Sequence, residues 1–292
     1  MARPEPAKAR WNAAGYAANS VVQQTWAREL IARLKLRGEE HVLDVGCGDG
    51  KVTAEIARAV PRGAVVGVDA SAEMIRFARK AFPAARFPNL KFQVADARKF
   101  KLVSPSGSKP LTPTLSPPGR GEGETPRGFD ILFSNAALHW VDDHEAFLKR
   151  AAAALKPGGR LVFSCGGKGN AHDVFLALRP EMRLARWRAH FRRMPMPYFF
   201  YAPEDYRKWL PRFGFRTRRI KLAPKDATYP GAAGFADWLR VTWLPYTQRV
   251  PEDLREEFIA AVTARYLARH APDADGQVHV RMVRLEIDAV KI

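Results

Sequence analysis

The chain has 292 residues, 47% of them hydrophobic and 27% charged, with a net charge of +18 and two cysteines. It is long enough to bury a full core, as one large domain or as one domain with a cap; Cys47 and Cys165 lack metal-ligand spacing and are too few for a disulfide framework, so both read as small buried residues and no metal is expected. No apolar run approaches the roughly 20 residues that span a bilayer, and the opening MARPEPAKAR lacks a signal peptide's apolar segment, so no membrane partner and a cytoplasmic location are expected.

The first element lies in WNAAGYAANSVVQQTWARELIARLKL. Ser20 is placed to cap a helix on which Val22, Trp26, Leu30 and Leu34 recur every four residues, an apolar stripe suited to packing on a sheet. Next comes HVLDVGCGDG, residues 41 to 50, an apolar strand running into Asp44 and glycines at 46, 48 and 50. Glycines let the chain turn sharply and bring backbone N–H groups close to a ligand, and a helix beginning near Lys51 adds its positive end. A dinucleotide fold needs G-x-G-x-x-G. Here position 51 is Lys, and the pattern is D-x-G-x-G-x-G. A second apolar strand, VVGVDAS, ends in Asp69, 19 residues past Gly50, with Ala70 and Met74 following. A carboxylate there can accept from two hydroxyls at once, in charge-assisted bonds roughly twice as strong as neutral ones.

Strand Lys91 to Val94 ends in Ala95, Asp96 and Ala97. The 24 residues Ser104 to Arg127 then hold six Pro and four Gly with two large apolar side chains, Leu111 and Leu115. Such a segment cannot bury enough surface to offset its ordering entropy, so disorder is expected; it resembles translated repetitive DNA and reads as an insertion rather than a binding arm. Strand Phe129 to Phe133 ends in Ser134 and Asn135, with His139 and Trp140 just beyond. LKPGGRLVFS gives a helix end, a turn and a strand from Arg160 to Ser164. Beyond it the pattern predicts helices over 171–191, 203–213, 233–241 and 251–270, and strands over 215–222 and 278–290.

Taken together over residues 41 to 165, these motifs resemble the class I S-adenosylmethionine (SAM) methyltransferases. The resemblance implies an α/β fold, a Rossmann-like seven-stranded sheet of six parallel strands and one antiparallel, with helical cap insertions. It implies an N-terminal helical lid at 1–37, a SAM-binding core at 38–168 interrupted by the 104–127 insertion, a cap with the sixth strand at 169–275, and the last core strand at 276–292. SAM is then the methyl donor. Asp44, Gly46, Cys47, Gly48 and Gly50 would pass under its methionine moiety. Asp69, with Ala70 and Met74 beside it, would hold the ribose; Asp96 would accept from the adenine amine while the Ala97 N–H meets a ring nitrogen, and Asn135 would lie beside the sulfonium. The N-terminal segment is similar to the lid of carboxyl methyltransferases acting on trans-aconitate or a malonyl carrier protein, which makes Tyr16 and Gln23 candidates to close over SAM; a plain helix surface is the alternative.

The positive charge is localised. Residues 179–225 carry a surplus of +11 and residues 1–37 one of +5, so the excess sits on the expected cap and lid. Arg179, Arg183, Arg186 and Arg193 can share a helix face, either a solvated surface or an attraction for an anionic acceptor, small or carrier-bound. Asn135 is followed by two alanines and not by Pro-Pro-aromatic, and neither cysteine has a Pro-Cys setting, which disfavours base methylation; other RNA or protein acceptors, or SAM binding without catalysis, stay open. A carboxylate is already a nucleophile near neutral pH and needs positioning and exclusion of water, not a base. His139, with Tyr16 as a second catalytic candidate, and Trp140, Arg240, Trp243 and Tyr246 are the candidate acceptor residues. For a hydroxyl acceptor, His139 would be the general base.

Overall fold

The structure, a computed structural model, describes residues 21–100 and 128–292. Tyr16, Ser20 and the 104–127 insertion lie outside the described residues. Helix α1, Val21–Ala32, precedes three strands alternating with two helices: β1 His41–Val45, α2 Lys51–Ala59, β2 Ala64–Asp69, α3 Ala72–Ala81 and β3 Leu90–Val94. Then follow β4 Phe129–Asn135, a single 3₁₀ turn Leu138–Trp140, α4 His144–Ala154 and β5 Leu155–Gly166. The last section holds α5 His172–Arg183, α6 Pro203–Arg212, β6 Phe215–Pro230, α7 Gly231–Thr242, α8 Leu244–Thr247, α9 Arg255–Leu267 and β7 Gln277–Lys291.

These strands form one seven-stranded sheet in the order β3-β2-β1-β4-β5-β7-β6. β7 runs antiparallel to both β5 and β6, and the remaining pairs are parallel. The expected six-plus-one sheet is what forms. β1, β2 and β4 are buried almost throughout, as parallel strands covered by helices on both faces require. β1 lies between β2 and β4, so the order reverses there and opens a crevice at the carboxyl ends of these strands. Ser71 Oγ accepts from the Met74 N–H to start α3, and Asp143 Oδ1 accepts from the Ala146 N–H to start α4. Both caps satisfy N–H groups that a helix end leaves without partners.

Three elements depart from expectation. The helix expected over 171–191 stops at Arg183: Pro180 removes one N–H from its last turn, and the chain continues through turns that still bury Trp187 and Phe191. Arg186 and Arg193 therefore do not share a helix face with Arg179 and Arg183. The strand expected over 215–222 runs on to Pro230. Pro224 reads as a strand break, but β6 is the edge strand, where a residue without an N–H is tolerated. β5 begins at Leu155 rather than Arg160, taking up the Pro-Gly-Gly turn as an irregularity in its pairing with β4.

The long β6–β7 hairpin joins two cores. Its near half gives Phe215, Leu285, Ile287 and Ala289 to the core beneath the sheet. Its far half gives Ala227, Tyr229, Val278 and Val280 to a second core built with α5, α7 and α9. Each large side chain buried in this way contributes about 1.5–3 kcal/mol relative to exposure. The α1 stripe is split in the same manner: Leu30 and Leu34 pack with Val42 of β1 and Ile56 of α2, whereas Trp26 packs against the second core.

Candidate active site

The turn after β1 is built by backbone geometry. Gly46, Gly48 and Gly50 have φ of 78°, 54° and 82°, a region that side chains with a Cβ disfavour. The N–H groups of Gly46 and Cys47 donate to the Val68 carbonyl at 2.7 and 3.0 Å, which anchors the loop to β2. Asp69 closes the arrangement. Its Oδ2 accepts from the Gly48 N–H at 3.0 Å and its Oδ1 from the Ser71 N–H at 2.8 Å, while burial pushes its pKa up. Asp44, 2% exposed, accepts from the Thr53 hydroxyl at 2.7 Å. Burial, opposed by that bond and reinforced by the charge of Asp69, raises its pKa to about 7.

A pocket opens along this loop, lined by Gln23, Asp44, Gly46, Cys47, Gly48, Asp49, Asn135 and Ala136 among others. The structure thus brings Gln23, the glycine loop and Asn135 together from three parts of the sequence. Asn135 Nδ2 donates to the Gln23 carbonyl at 3.0 Å, tying α1 to the end of β4. Gln23 Oε1 is buried with no hydrogen-bond partner among the described residues. An orphaned acceptor of this kind calls for a ligand or solvent to satisfy it. Met74 is buried, Ala70 is exposed, and Ala97 is half-buried against the sheet core. Asp96 is taken up by a residue the sequence reading did not single out: Arg98 Nη2 and Nε both donate to its carboxylate, at 2.7 Å to Oδ2 and 3.0 Å to Oδ1, and Arg98 Nη1 reaches Asp142 at 2.8 Å. Arg98 holds the Asp96 carboxyl below its usual range.

On the other side of Asn135 the chain is bent. Ala136 has φ 56°, costly for a residue with a Cβ and the kind of backbone strain that gathers at functional sites. The bend turns the Leu138–Trp140 segment into the space between sheet and cap. His144, buried under α6, fixes that segment through Nε2 and the Leu138 carbonyl at 2.8 Å, with Tyr206 on its Nδ1. His139 accepts from the Gly166 N–H at Nδ1, 3.3 Å away, and its ring lies among Trp140, Tyr198 and Phe200. Burial, the Arg284 guanidinium and His144 push its pKa down to about 3. With Nδ1 accepting, the single proton of the neutral ring sits on Nε2.

The remaining candidates are placed differently. Trp243 and Tyr246 are buried in the cap core, packed with Phe175 and Tyr198. Arg240 is engaged at the cap surface by Asp237 and Glu256. The sequence reading also passed over Arg284, 4% exposed on β7, which bonds Ser164 and Asn135. Its signal is in the sequence: Arg284 keeps phase with Val278, Val280 and Met282, the buried positions of an alternating strand.

The glycine loop, the acid at the end of β2, and the crevice at the β1/β4 reversal define a SAM-dependent methyltransferase of class I. The sequence profile of the methyltransferase domain matches residues 36–183, half of the chain, and the chain belongs to that family. Trans-aconitate 2-methyltransferase of Rhodopseudomonas palustris strain BisB5 is 28% identical over 97% of this chain and 100% of its own length. Those of Afipia carboxidovorans and Azoarcus sp. strain BH72 are each 29% identical, over 96% and 91% of this chain and 98% and 92% of their own. Among solved structures, the YcgJ protein of Bacillus subtilis superposes with a TM-score of 0.55 at 17% identity, covering 91% of this chain and 97% of its own. Phosphoethanolamine N-methyltransferase 2 of Haemonchus contortus, solved with phosphomonomethylethanolamine and S-adenosylhomocysteine, does so with 0.54 at 16% identity, covering 91% of this chain and 52% of its own. At these identities the structural likeness speaks for the fold alone. SAM fits the residues present: the glycine loop and Asp44 line the pocket together with Gln23, whose side-chain Oε1 has no hydrogen-bond partner among the described residues.

Proposed function

We propose that the protein transfers the methyl group of SAM to a carboxylate oxygen of a small polycarboxylic acid of the trans-aconitate type. The observation that carries this reading is the hydrogen bond of His139, whose Nδ1 accepts from the Gly166 N–H and so leaves Nε2–H as a donor. The ring is neutral with its proton on Nε2, and a group with a pKa near 3 is a poor base for a hydroxyl or an ammonium. It is suited to donate a hydrogen bond to a carboxylate, which needs no deprotonation. The full-length relatives named trans-aconitate 2-methyltransferase support the same reading.

SAM supplies an electrophilic methyl on sulfur. The chain's residues hold and align: Gly46 to Gly48 and Asp44 would face the methionine end, Asp69 the ribose, and Asp96, released in part by Arg98, the adenine. Asn135 and the Gln23 side chain would flank the sulfonium. The acceptor carboxylate oxygen attacks the methyl carbon, the C–S bond breaks with its electrons staying on sulfur, and the products are a methyl ester and S-adenosylhomocysteine. No proton moves. His139 Nε2–H would orient the acceptor oxygen, Trp140 would wall the pocket, and the 169–275 cap with the N-terminal lid would exclude water.

Labelled-methyl transfer from SAM to a panel of carboxylic acids, hydroxyl compounds, amines and RNA tests the reading. The expected product is volatile methanol on alkaline hydrolysis of a trans-aconitate ester. Label found only in base-stable products of amines or RNA would overturn it.

A further inference from the structure

The steps above leave Arg284 without a role. Its guanidinium is buried where β7 passes the carboxyl end of β5. Nε donates to Ser164 Oγ at 3.1 Å, and Nη2 donates to the Ser164 carbonyl at 2.6 Å and to Asn135 Oδ1 at 3.2 Å. The plane lies over the Trp26 ring of α1, 5.4 Å from its centroid. Four elements, α1, β4, β5 and β7, thus close on one cation directly behind Asn135, which itself lines the pocket. The same charge, after burial, helps to lower the pKa of His139, four residues beyond Asn135.

Burying a guanidinium costs free energy even when it is hydrogen-bonded, and this one bonds the Asn135 side chain that the proposed function sets beside the sulfonium. Two like charges in a medium less polar than water repel more strongly than they would in solvent. An acceptor carboxylate entering beside Asn135 turns both interactions attractive, whereas a neutral acceptor leaves the repulsion in place. A second carboxylate on the same acceptor gains from the fixed charge without being consumed by methylation.

We propose that Arg284 is a specificity-determining residue, whose fixed charge behind Asn135 selects acceptors bearing two or more carboxylates over monoacids. The proposal rests on the carboxylate reading given above. Through Asn135 it is also a positioning residue: Oδ1 accepts from Arg284, so Nδ2 is the atom turned to the Gln23 carbonyl.

The test compares trans-aconitate with crotonate, an unsaturated monoacid, as acceptors. In the wild type KM for trans-aconitate is expected to be at least about tenfold lower; equal values overturn the proposal without any variant. Arg284→Gln should raise KM for trans-aconitate by about 30-fold or more, change KM for crotonate far less, and leave S-adenosylhomocysteine affinity by calorimetry within about threefold. Arg284→Lys, which keeps the charge but not the fork, should recover most of KM, a rescue that a merely structural role would not give. Equal rises for both acids in Arg284→Gln, or no rise for either, overturn it. If the wild type methylates no acid, the underlying reading has failed; calorimetric binding of trans-aconitate to the S-adenosylhomocysteine complex then decides on Arg284 alone, loss in Arg284→Gln upholding its role and unchanged binding overturning it.

Discussion

The two ends of this molecule's pocket are specified in different ways. At the donor end, backbone geometry does the selecting: three left-handed glycines, two N–H groups on the Val68 carbonyl, and an aspartate whose oxygens take the N–H groups of Gly48 and Ser71. At the cap end, side chains packed from distant segments do it: His139, Tyr198 with Phe200, and Trp243, from three stretches of chain. A backbone device tolerates few residue types and so writes a motif. A packed side-chain wall can be built in many ways and writes only composition.

The largest expected effect is therefore at the donor end. A Cβ on Gly46 would lie 2.1 Å from the Ala137 Cβ, at a φ of 78°. Gly46→Ala should abolish the rise in melting temperature that SAM gives and cost about 2–4 kcal/mol in denaturant unfolding, from backbone strain and overpacking together. Normal SAM binding by this variant would break the contrast at its root. Asp69→Ala comes next: with both carboxylate oxygens gone, the Gly48 and Ser71 N–H groups lose their acceptor and the proposed ribose contact goes with it. A fall of about 100-fold in SAM affinity by calorimetry is expected, in keeping with the loss of two or more charge-assisted bonds. A fall under threefold would mean that Asp69 serves the loop and not the ligand.

The same contrast explains what was legible in advance. The glycine spacing, the acids ending β2 and β3, and Asn135 could be placed because each is a residue type that a parallel-sheet crevice demands at a strand end. The six-plus-one sheet followed from apolar runs and their order. Elsewhere a local signal competed with a tertiary one. Pro224 reads as a break, yet an edge strand accommodates it; Leu184, Trp187 and Phe191 keep helical spacing beyond Pro180, yet the chain there runs in turns that bury Trp187 and Phe191 and leave Leu184 exposed. Arg240 stands in an aromatic-rich segment, but Asp237, one turn away, and Glu256, in the first turn of α9, take its charge. Arg284 was hidden because a charged residue in an alternating strand is ordinarily read as its exposed face. Arg98 was hidden because nothing in a sequence says that Asp96 will bond a neighbour two positions on before it meets a ligand.

At the cap end the informative effect is on turnover. His139→Ala should lower kcat by about 10- to 100-fold and leave the SAM-induced thermal shift in place, since His139 bonds Gly166 and packs among Trp140, Tyr198 and Phe200. His139→Gln, which keeps a donor and cannot act as a base, should recover part of the loss. At saturating SAM, kcat/KM for the acceptor should show no inflection near pH 6.5, because the ring's pKa is about 3. A base-catalysed reaction would instead fall as the pH drops through 6.5 and gain nothing from Gln. That result would move the protein from carboxylate to hydroxyl chemistry and dissolve the distinction between a positioning wall and a catalytic one.

The smallest effect asks whether the two ends are one folding unit. At the far tip of the β6–β7 hairpin, His279 Nδ1 meets Asp226 at 2.5 Å and Nε2 meets Asp273 at 2.8 Å, all three exposed. The bond to Asp273, then that to Asp226, raises the His279 pKa above its ordinary 6.5. A folded-state pKa above the unfolded one means that the stabilisation is complete below pH 6.5 and fades as pH rises through the raised value. Exposed pairs contribute little, so the melting temperature should fall by only about 1–2 °C over that interval, and His279→Gln should remove the slope. Because the hairpin's near half belongs to the sheet core and its far half to the cap core, the shift should be the same by near-ultraviolet dichroism of the cap aromatics and by loss of SAM binding on heating. Separate midpoints for the two probes would mean that the cap melts on its own, and that continuous strands do not by themselves couple the acceptor wall to the donor loop.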